Sequence, residues 1–257
     1  MEYLNVNKQA WNERTKVHVD SQFYDVEAFL NGQCSLNNIE LEQLGNVEGR
    51  SLLHLQCHFG QDSLSWARKG ALVTGVDLSN EAIEQAKRLN DSLDLNATFI
   101  AKDIYQFGSE NAQQFDIVYT SYGVLCWLPD LDKWAEVVAR SLNAGGVFHL
   151  VEFHTVNDLL SGYSYFGQRE PDIEEEGTYT ENGDDISTKV MTWPHAISEV
   201  INALINAGLI IEQFNEFPYS PYKCFEGLEH VQGKGFEKRY QGQQVPLVYS
   251  IQARKPA

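Results

Sequence analysis

The sequence has little cysteine, and its four cysteines lie far apart in the chain. Cys34, Cys57, Cys126 and Cys224 do not form the C-x-x-C pairs that bind zinc. They also lack the density that marks the disulfide framework of a small secreted protein. We therefore interpret all four as free thiols, and we predict no metal site.

Long hydrophobic runs are also missing. No stretch approaches the roughly 18 apolar residues that a transmembrane helix requires. The first residues, MEYLNVNKQAWNERTK, are polar and charged where a secretory signal peptide has an apolar segment. We expect a cytoplasmic protein that has no membrane partner.

Basic residues are scarce. The chain has 19 lysines and arginines against 36 aspartates and glutamates, which gives a formal net charge of −17. This charge repels the phosphates of nucleic acids and anionic lipids, and no cluster of basic residues offers a local exception. The composition therefore favours a small-molecule partner over nucleic acid, and it leaves the oligomeric state open.

Hydrophobic residues make up 43% of the 257 residues, which is enough for one large core but short for two independent domains. From residue 51 onwards, short apolar runs alternate with segments of helical periodicity. The predicted strands are SLLHLQ, ALVTGVD, ATFIAK, FDIVYTS, VFHLVEF, LIIEQF and VPLVYSIQA. This alternation predicts an α/β fold with a doubly wound, seven-stranded and mostly parallel sheet.

Capping residues and glycines mark the predicted helices between these strands. The helices are expected at residues 60–69, from Ser79 or Asn80 to about residue 93, at 131–142, and from Ile197 to the glycine at 208. Residues 143–146, Asn-Ala-Gly-Gly, are expected to end the third of them before the fifth strand begins.

The regular alternation stops after residue 153. Glycine and proline punctuate an acidic and aromatic stretch of about forty residues, which predicts an irregular insertion over residues 154–195. A loop of this length in a compact domain is usually functional, so we interpret it as a lid. We expect it to control the choice of substrate without affecting the rest of the site.

Four blocks of sequence resemble the class I S-adenosylmethionine-dependent methyltransferase family. They are LLHLQCHFGQDSLSWARKGALVTGVDLS, AKDI, FDIVYTSYGVLCWLPDL and LNAGGVFHLVE, in the family's order, and the segments GLIIEQF and VPLVYSIQARK resemble its terminal β-hairpin. The HLQC tetrapeptide is similar to that of a branch whose substrates are mostly unassigned. The resemblance implies a Rossmann-like methyltransferase domain over residues 46–257, an N-terminal helical cap over residues 1–45, and S-adenosylmethionine as cofactor.

The resemblance also implies a set of cofactor-binding residues. They are Trp11, Tyr24, Leu55, Gln56, Cys57, His58, Gly60, Asp77, Leu78, Ser79, Asp103, Ile104 and Ser121. Trp11 and Tyr24 match the aromatic positions of the family's cap, where they either close over the cofactor or only anchor the cap.

Physical chemistry supports the principal assignments separately. In an open α/β sheet the ligand binds outside the carboxyl ends of the strands, where strand order reverses. The loop from Gln56 to Gly60 offers backbone N–H groups and a helix N-terminus to the cofactor carboxylate. Asp77, at the end of the second strand, is placed to accept both ribose hydroxyls, although it could be only a turn residue. By similarity to the family, Asp103 would accept a hydrogen bond from the adenine amino group, and Ile104 would pack on the face of the adenine ring. Alternatively, Asp103 could be only a helix cap.

The loop after the first strand departs from the family. Where members often have an acidic residue and three glycines, this chain has His54, Gln56, His58 and only Gly60. Glycine is favoured there because the backbone must adopt positive φ or approach the ligand closely. The side chains at 56 and 58 must therefore point away or replace contacts. His54, Cys57 and His58 could suggest a metal cluster, but a strand followed by a loop does not give them the ligand spacing of a helix.

The acceptor side is expected beyond the fourth and fifth strands. Candidate catalytic residues are Glu152, His154, His195 and Tyr122, of which the first two leave the fifth strand where a general base would have to sit. Each histidine could instead be a packing or capping residue. An aromatic wall is predicted from Tyr122, Trp127, Tyr163, Tyr165, Phe166, Tyr179 and Trp193.

The resemblance implies a methyltransferase that acts on a small-molecule methyl acceptor. The alternative is a non-catalytic regulatory module that binds S-adenosylmethionine or S-adenosylhomocysteine through the altered loop. A nicotinamide dehydrogenase is disfavoured because no G-x-G-x-x-G follows the first strand.

Overall fold

The computed structural model describes residues 2–257, and its centre is one seven-stranded sheet. The sheet strands are β1 (Ser51–Leu55), β2 (Leu72–Asp77), β3 (Thr98–Ala101), β4 (Phe115–Ser121), β5 (Leu142–Phe153), β8 (Ile210–Phe217) and β13 (Val248–Arg254). Their order is β3-β2-β1-β4-β5-β13-β8. The first five strands pair in parallel, whereas β13 is antiparallel to both β5 and β8. The predicted doubly wound, mostly parallel sheet is confirmed.

Six shorter strands form separate two-stranded ribbons within the described residues. They are β6 (Asp172–Glu176), β7 (Thr188–Thr192), β9 (Glu229–Val231), β10 (Gly235–Glu237), β11 (Arg239–Tyr240) and β12 (Gln243–Gln244). Each pairs antiparallel with its neighbour in sequence. Two-stranded ribbons have little stability alone, so they depend on packing against the rest of the molecule.

Residues 2–257 contain nine α-helices and one short 3₁₀ turn. The helices are α1 (Glu2–His18), α2 (Val26–Leu30), α3 (Asn38–Leu44), α4 (Gln61–Arg68), α5 (Asn80–Ser92), α6 (Ile104–Glu110), α7 (Leu131–Ser141), α8 (Val156–Leu160) and α9 (Ile197–Asn206), and the turn is Leu125–Trp127. Side-chain caps fix four helix starts, because each of four residues accepts a backbone N–H three residues further on: Asp25, Ser79, Asp103 and Asp130.

Helices cover both faces of the sheet. On one face, Trp134 of α7 is fully buried and packs edge-on against Phe148 of β5, with ring centroids 5.6 Å apart. On the other face, Trp66 of α4 is fully buried against Tyr119 of β4, with centroids 5.9 Å apart. This two-sided burial explains why the central strands are almost continuously apolar. No helix within residues 2–257 is long and apolar enough to cross a bilayer.

The segment 154–195 is more regular than the sequence predicts, so the prediction of an irregular loop is wrong. It contains α8 and the β6–β7 hairpin, which packs on α1. The side-chain amide of Asn7 donates to the Met191 carbonyl at 2.8 Å and accepts the Met191 N–H at 2.9 Å. The strand pattern was hidden because β6 is largely exposed and carries three consecutive glutamates, which a buried strand excludes.

Two further boundaries differ from the prediction. β5 begins at Leu142, directly after α7, because Leu142 pairs with Phe115 of β4. The register between β4 and β5 then shifts, and Gly145 adopts a φ of +74° in this irregular stretch. Residues 143–146 are therefore part of the strand. The sequence predicts no strand in the connection from β8 to β13. In the structure this connection contains the β9–β10 and β11–β12 ribbons. Their short, exposed strands have no apolar alternation that would reveal them.

Candidate functional site

A cavity of about 790 Å³ opens at the carboxyl ends of the central strands. Its walls come from the loops after β1 to β5, from the N-terminal helices, from the β6–β7 hairpin and from the connection that follows β8. This position is where an open α/β sheet binds its ligand, and the volume lies in the range of small-molecule sites.

The loop after β1 keeps a glycine-like backbone without glycine. Gln56 and His58 have φ of +58° and +50°, and Gly60 has φ of +81°. A left-handed conformation costs a non-glycine residue about 1–3 kcal/mol, so the surroundings must hold it. They do, because the Gln56 side-chain amide donates to the Val124 carbonyl at 2.9 Å and the His58 N–H donates to Asp77 at 2.8 Å. The loop therefore exposes its backbone to the cavity while Gln56 ties it to the loop after β4.

Asp77 lies at the end of β2 and faces this loop. Its Oδ2 accepts the His58 N–H and its Oδ1 accepts the Ser79 N–H, both at 2.8 Å. Burial raises the pKa of the carboxyl to about 6. Each carboxylate oxygen can accept a second hydrogen bond. Asp77 can therefore hold the loop and still accept hydrogen bonds from two hydroxyl groups of a ligand.

Asp103 serves as a helix cap and also lines the cavity. Its Oδ2 accepts the Gln106 N–H at 3.0 Å, which caps α6. Burial raises the pKa of this carboxyl. Ile104 and Leu78 line the same part of the cavity. The two interpretations of Asp103, cap and ligand contact, are thus compatible in one side chain.

The N-terminal helices pack on the altered loop through edge-to-face contacts between aromatic rings. Trp11 lies 5.2 Å from His58 and 5.1 Å from Trp127, measured between ring centroids. The Tyr24 and Tyr179 hydroxyls are hydrogen-bonded to each other. Both Trp11 and Tyr24 line the cavity and also contact the loop after β1, so the anchoring contact is present and closure over the cofactor stays a prediction.

A pair of neutral histidines completes this contact. Nδ1 of His18 lies 2.9 Å from Nε2 of His58, and the other ring nitrogen of His18 is hydrogen-bonded to Thr178. Burial lowers the pKa of His18 to about 3 and that of His58 well below its usual value. Because both rings stay neutral at physiological pH, one can donate and the other accept. The His58 side chain thus replaces a family glycine with a contact to the cap.

Three of the expected site residues do not line the cavity. Leu55 is fully buried in the core. The Ser79 hydroxyl caps α5 and donates to the Asn12 side chain at 2.8 Å. Nε2 of His154 lies 2.9 Å from Glu216, and its Nδ1 accepts the Val156 N–H, so the ring faces away from the cavity. His154 is therefore a structural residue, whereas its neighbours Glu152, Phe153 and Thr155 line the cavity.

Glu152 lines the cavity, but its carboxylate is occupied by backbone donors. It accepts N–H groups from Gly123, Val124 at 2.9 Å, Leu125 at 3.1 Å and Phe153 at 2.6 Å. A general base needs a free lone pair directed at the substrate, and this arrangement leaves little room for one. The structure gives Glu152 a positioning role, in which it shapes the loop after β4.

His195 and Tyr122 line the cavity with one polar atom bonded elsewhere. Nε2 of His195 donates to the Leu128 carbonyl at 2.8 Å, which makes Nδ1 the acceptor nitrogen of the neutral ring. The Tyr122 hydroxyl donates to Glu40 at 3.1 Å, and burial raises the pKa of Glu40 to about 7. Ser121, Gly60, Cys57 and Gln56 also line the cavity.

The sequence analysis missed several residues that the fold brings to the cavity. They are Arg14, Cys126, Asp158, Tyr222 and Tyr249. Arg14 could have been found, because it lies three residues after Trp11 on the same face of a helix. Asp158 had no signal in a segment expected to be irregular, and Tyr249 looks like any core residue of an apolar strand. Of the predicted aromatic wall, Tyr165 and Phe166 do not line the cavity.

The chain is similar to known proteins in both sequence and fold. A family profile described as a methyltransferase domain matches residues 52–146. The ubiquinone biosynthesis O-methyltransferase of Coxiella burnetii is 32% identical over 125 residues, which cover 49% of this chain and 51% of that protein. The chain therefore spans about half the length of the curated relatives it matches.

Solved structures extend the similarity over nearly the whole chain. An S-adenosylmethionine-dependent methyltransferase from Clostridium acetobutylicum superposes with a TM-score of 0.60 at 15% identity, covering 98% of this chain and 99% of that one. The DhpI–SAH complex gives a TM-score of 0.59 at 16% identity, covering 99% of this chain and 97% of that one. At these identities the likeness shows that the fold is shared.

Proposed function

We propose that the chain is a class I S-adenosylmethionine-dependent methyltransferase and that it transfers the methyl group of S-adenosylmethionine to a small-molecule acceptor. The methyltransferase-domain profile over residues 52–146 and the shared fold support this proposal. The observation that carries the proposal is the convergence of Asp77, Asp103 and the left-handed loop 56–60 on one cavity. These groups come from the loops after β1, β2 and β3, which the family uses for its cofactor.

The residues present fit that cofactor. The exposed N–H groups of the loop 56–60 suit a carboxylate at the start of α4. Asp77 suits a ribose with two adjacent hydroxyls, and Asp103 with Ile104 suits an adenine edge and face. When bound, S-adenosylmethionine supplies a methyl group on a positively charged sulfur atom. The remaining task of the chain is to orient the acceptor in line with that group and to exclude water.

The cavity has room for an acceptor beside the cofactor. The loop after β4, held by Glu152, and the side chains of Trp127, Trp193 and His195 form the wall beyond the cofactor residues. The acceptor nitrogen of His195 is the group available to take a proton there. A small molecule is favoured over nucleic acid, since the net charge is −17. A cytoplasmic location is part of the same proposal.

The alternative function is a regulatory module that binds the cofactor without using it. It rests on the two left-handed non-glycine residues, Gln56 and His58, where the family often has glycine. If Gln56 and His58 served only to hold the loop, the chain would bind the cofactor but would show no turnover.

The enzyme and the module are distinguished by a turnover assay. We expect the purified chain to bind S-adenosylmethionine and to transfer its radiolabelled methyl group to at least one member of a panel of amines, phenols and carboxylates. The product S-adenosylhomocysteine is measured in parallel to detect acceptor-free hydrolysis. Tight binding without product for any acceptor would favour the module, and absence of binding would refute both.

Cofactor affinity is expected to fall at acid pH. Burial raises the pKa of Asp77 to about 6, and only the ionised carboxylate can accept hydrogen bonds from both ribose hydroxyls. The ribose favours the ionised form, so affinity is full above about pH 7 and decreases as the pH falls through about 6, approaching tenfold per unit below it. Calorimetric titration between about pH 5 and pH 8 measures this. In the Asp77→Asn variant the pH dependence should disappear, and a dependence that persists there would assign it to another group.

A further inference from the structure

The wall of the cavity beyond the cofactor residues is strongly acidic. Asp158 of α8 and Asp172, Glu174 and Glu176 of β6 all line it, and we call these four residues the acidic wall. Among the described residues that line the cavity, Arg14 is the one with a basic side chain. An acidic wall attracts cations and repels carboxylates and phosphates.

Arg14 is already engaged. Its guanidinium donates to Glu176 at 2.7 Å and to the Gly177 carbonyl at 2.9 Å. The same group lies 5.5 Å from the ring centroids of both Trp11 and Trp127. Arg14 therefore neutralises Glu176, and it does not neutralise the charges of the other three residues of the acidic wall.

Asp158, like Asp172, accepts no side-chain hydrogen bond within the part of the chain that the structure describes. It is exposed to the cavity. Burial of the surrounding site and the nearby charge of Glu152 raise the pKa of its carboxyl to about 6. By contrast, Glu174 accepts the Tyr163 hydroxyl at 3.0 Å through both of its oxygens. At neutral pH Asp158 is an ionised group without a counterion.

A second and independent observation points to a ligand at the same place. The Tyr249 side chain lines the cavity and is fully buried, yet its hydroxyl has no partner among residues 2–257. The Thr155 hydroxyl, also a lining group, is unpartnered in the same way. Tyr249 of β13 pairs with Glu152 of β5 in the sheet, and the charges of Glu152 and Asp158 both raise the pKa of Tyr249. Buried hydroxyls normally have partners, so a polar group of the ligand is the expected one.

We propose that the acceptor is a small molecule that carries a protonated amine, with Asp158 as its counterion and the Tyr249 hydroxyl as a second hydrogen-bonding partner. The inference rests on the proposed function and names the substrate class of that same site. Trp127 and Tyr163 also line the cavity, and aromatic rings attract a cation. The amine is the group that is recognised, whichever atom of the molecule receives the methyl group.

Three para-substituted phenols test the inference: tyramine, para-ethylphenol and para-hydroxyphenylpropionate. Their two-carbon side chains end in an ammonium group, in a hydrogen atom and in a carboxylate group, so the side chain is cationic, neutral or anionic. We measure their binding to the S-adenosylhomocysteine complex by calorimetry, and methyl transfer to each from S-adenosylmethionine. Loss of one hydrogen bond to a charged group corresponds to about tenfold or more in affinity. We expect the amine to bind at least that much tighter than the neutral probe, and the anion to bind weakest.

The variant Asp158→Asn should remove the preference for the amine and leave the Kd for S-adenosylhomocysteine unchanged. Asp184→Asn is the matched control, because Asp184 is an exposed aspartate of the same insertion that does not line the cavity. Tyr249→Phe should weaken amine binding in the same direction.

Each result decides the inference separately from the proposed function. Equal binding of the three probes, no measurable amine binding, or equal behaviour of Asp158→Asn and Asp184→Asn would overturn the inference while cofactor binding and turnover still supported the methyltransferase. Failure to bind S-adenosylhomocysteine at all would instead refute the proposed function.

Discussion

Replacement of Asp77 by alanine is expected to weaken binding of S-adenosylmethionine by about 100-fold or more. The proposed contact is a pair of hydrogen bonds from hydroxyls to a charged carboxylate, each worth about 1.5–3 kcal/mol. The same carboxylate accepts the N–H groups of His58 and Ser79, so the loop that meets the cofactor carboxylate also loses its support. The measurement is calorimetric titration of both proteins with S-adenosylmethionine and S-adenosylhomocysteine.

The loop contacts require a control for folding. Asp91→Ala removes an exposed aspartate from α5 and should leave the Kd unchanged. Thermal unfolding of all three proteins without ligand shows how much of the loss comes from the loop. An Asp77→Ala protein that binds as tightly as the parent would remove Asp77 from the ribose role.

The second large effect is expected at Glu152. Replacement by alanine leaves the N–H groups of Gly123, Val124, Leu125 and Phe153 without their acceptor in a buried site. A buried donor that loses its partner typically costs about 1–3 kcal/mol. We expect the free energy of unfolding, measured in urea, to fall by that order, with loss of methyl transfer because the loop after β4 forms part of the cavity.

The variant Glu152→Gln separates positioning from proton transfer. Glutamine keeps one acceptor oxygen, but its NH2 group is a donor and would face backbone N–H groups, which are also donors. The free energy of unfolding should therefore decrease again. Asp132→Asn, an exposed carboxylate on α7, is the control. If Glu152→Gln lost turnover while keeping its stability and cofactor affinity, Glu152 would be a general base after all.

The loop after β1 has one feature that the sequence predicted and one that it did not. The sequence identified Gln56 and His58 as departures from the family, and it predicted that their side chains must point away or replace contacts. The structure shows how this is done, because Gln56 bonds to the loop after β4 and His58 meets His18 of α1. No local pattern predicts the second contact, since 40 residues separate the two histidines.

By itself the sequence determined the succession of the seven sheet strands and of the four helices predicted between them, and the positions of Asp77 and Asp103. Those features follow from local periodicity and capping, and the carboxyl end of a parallel strand is where its loop must face the ligand. Only the tertiary structure decided which side chains share the cavity. It pairs Arg14 with Glu176, 162 residues away, and it brings Asp158 and Tyr249 to the wall of one cavity. Such contacts depend on how the N-terminal helix, the β6–β7 hairpin and the last strand pack together, and packing between distant segments leaves no periodic signal in the chain.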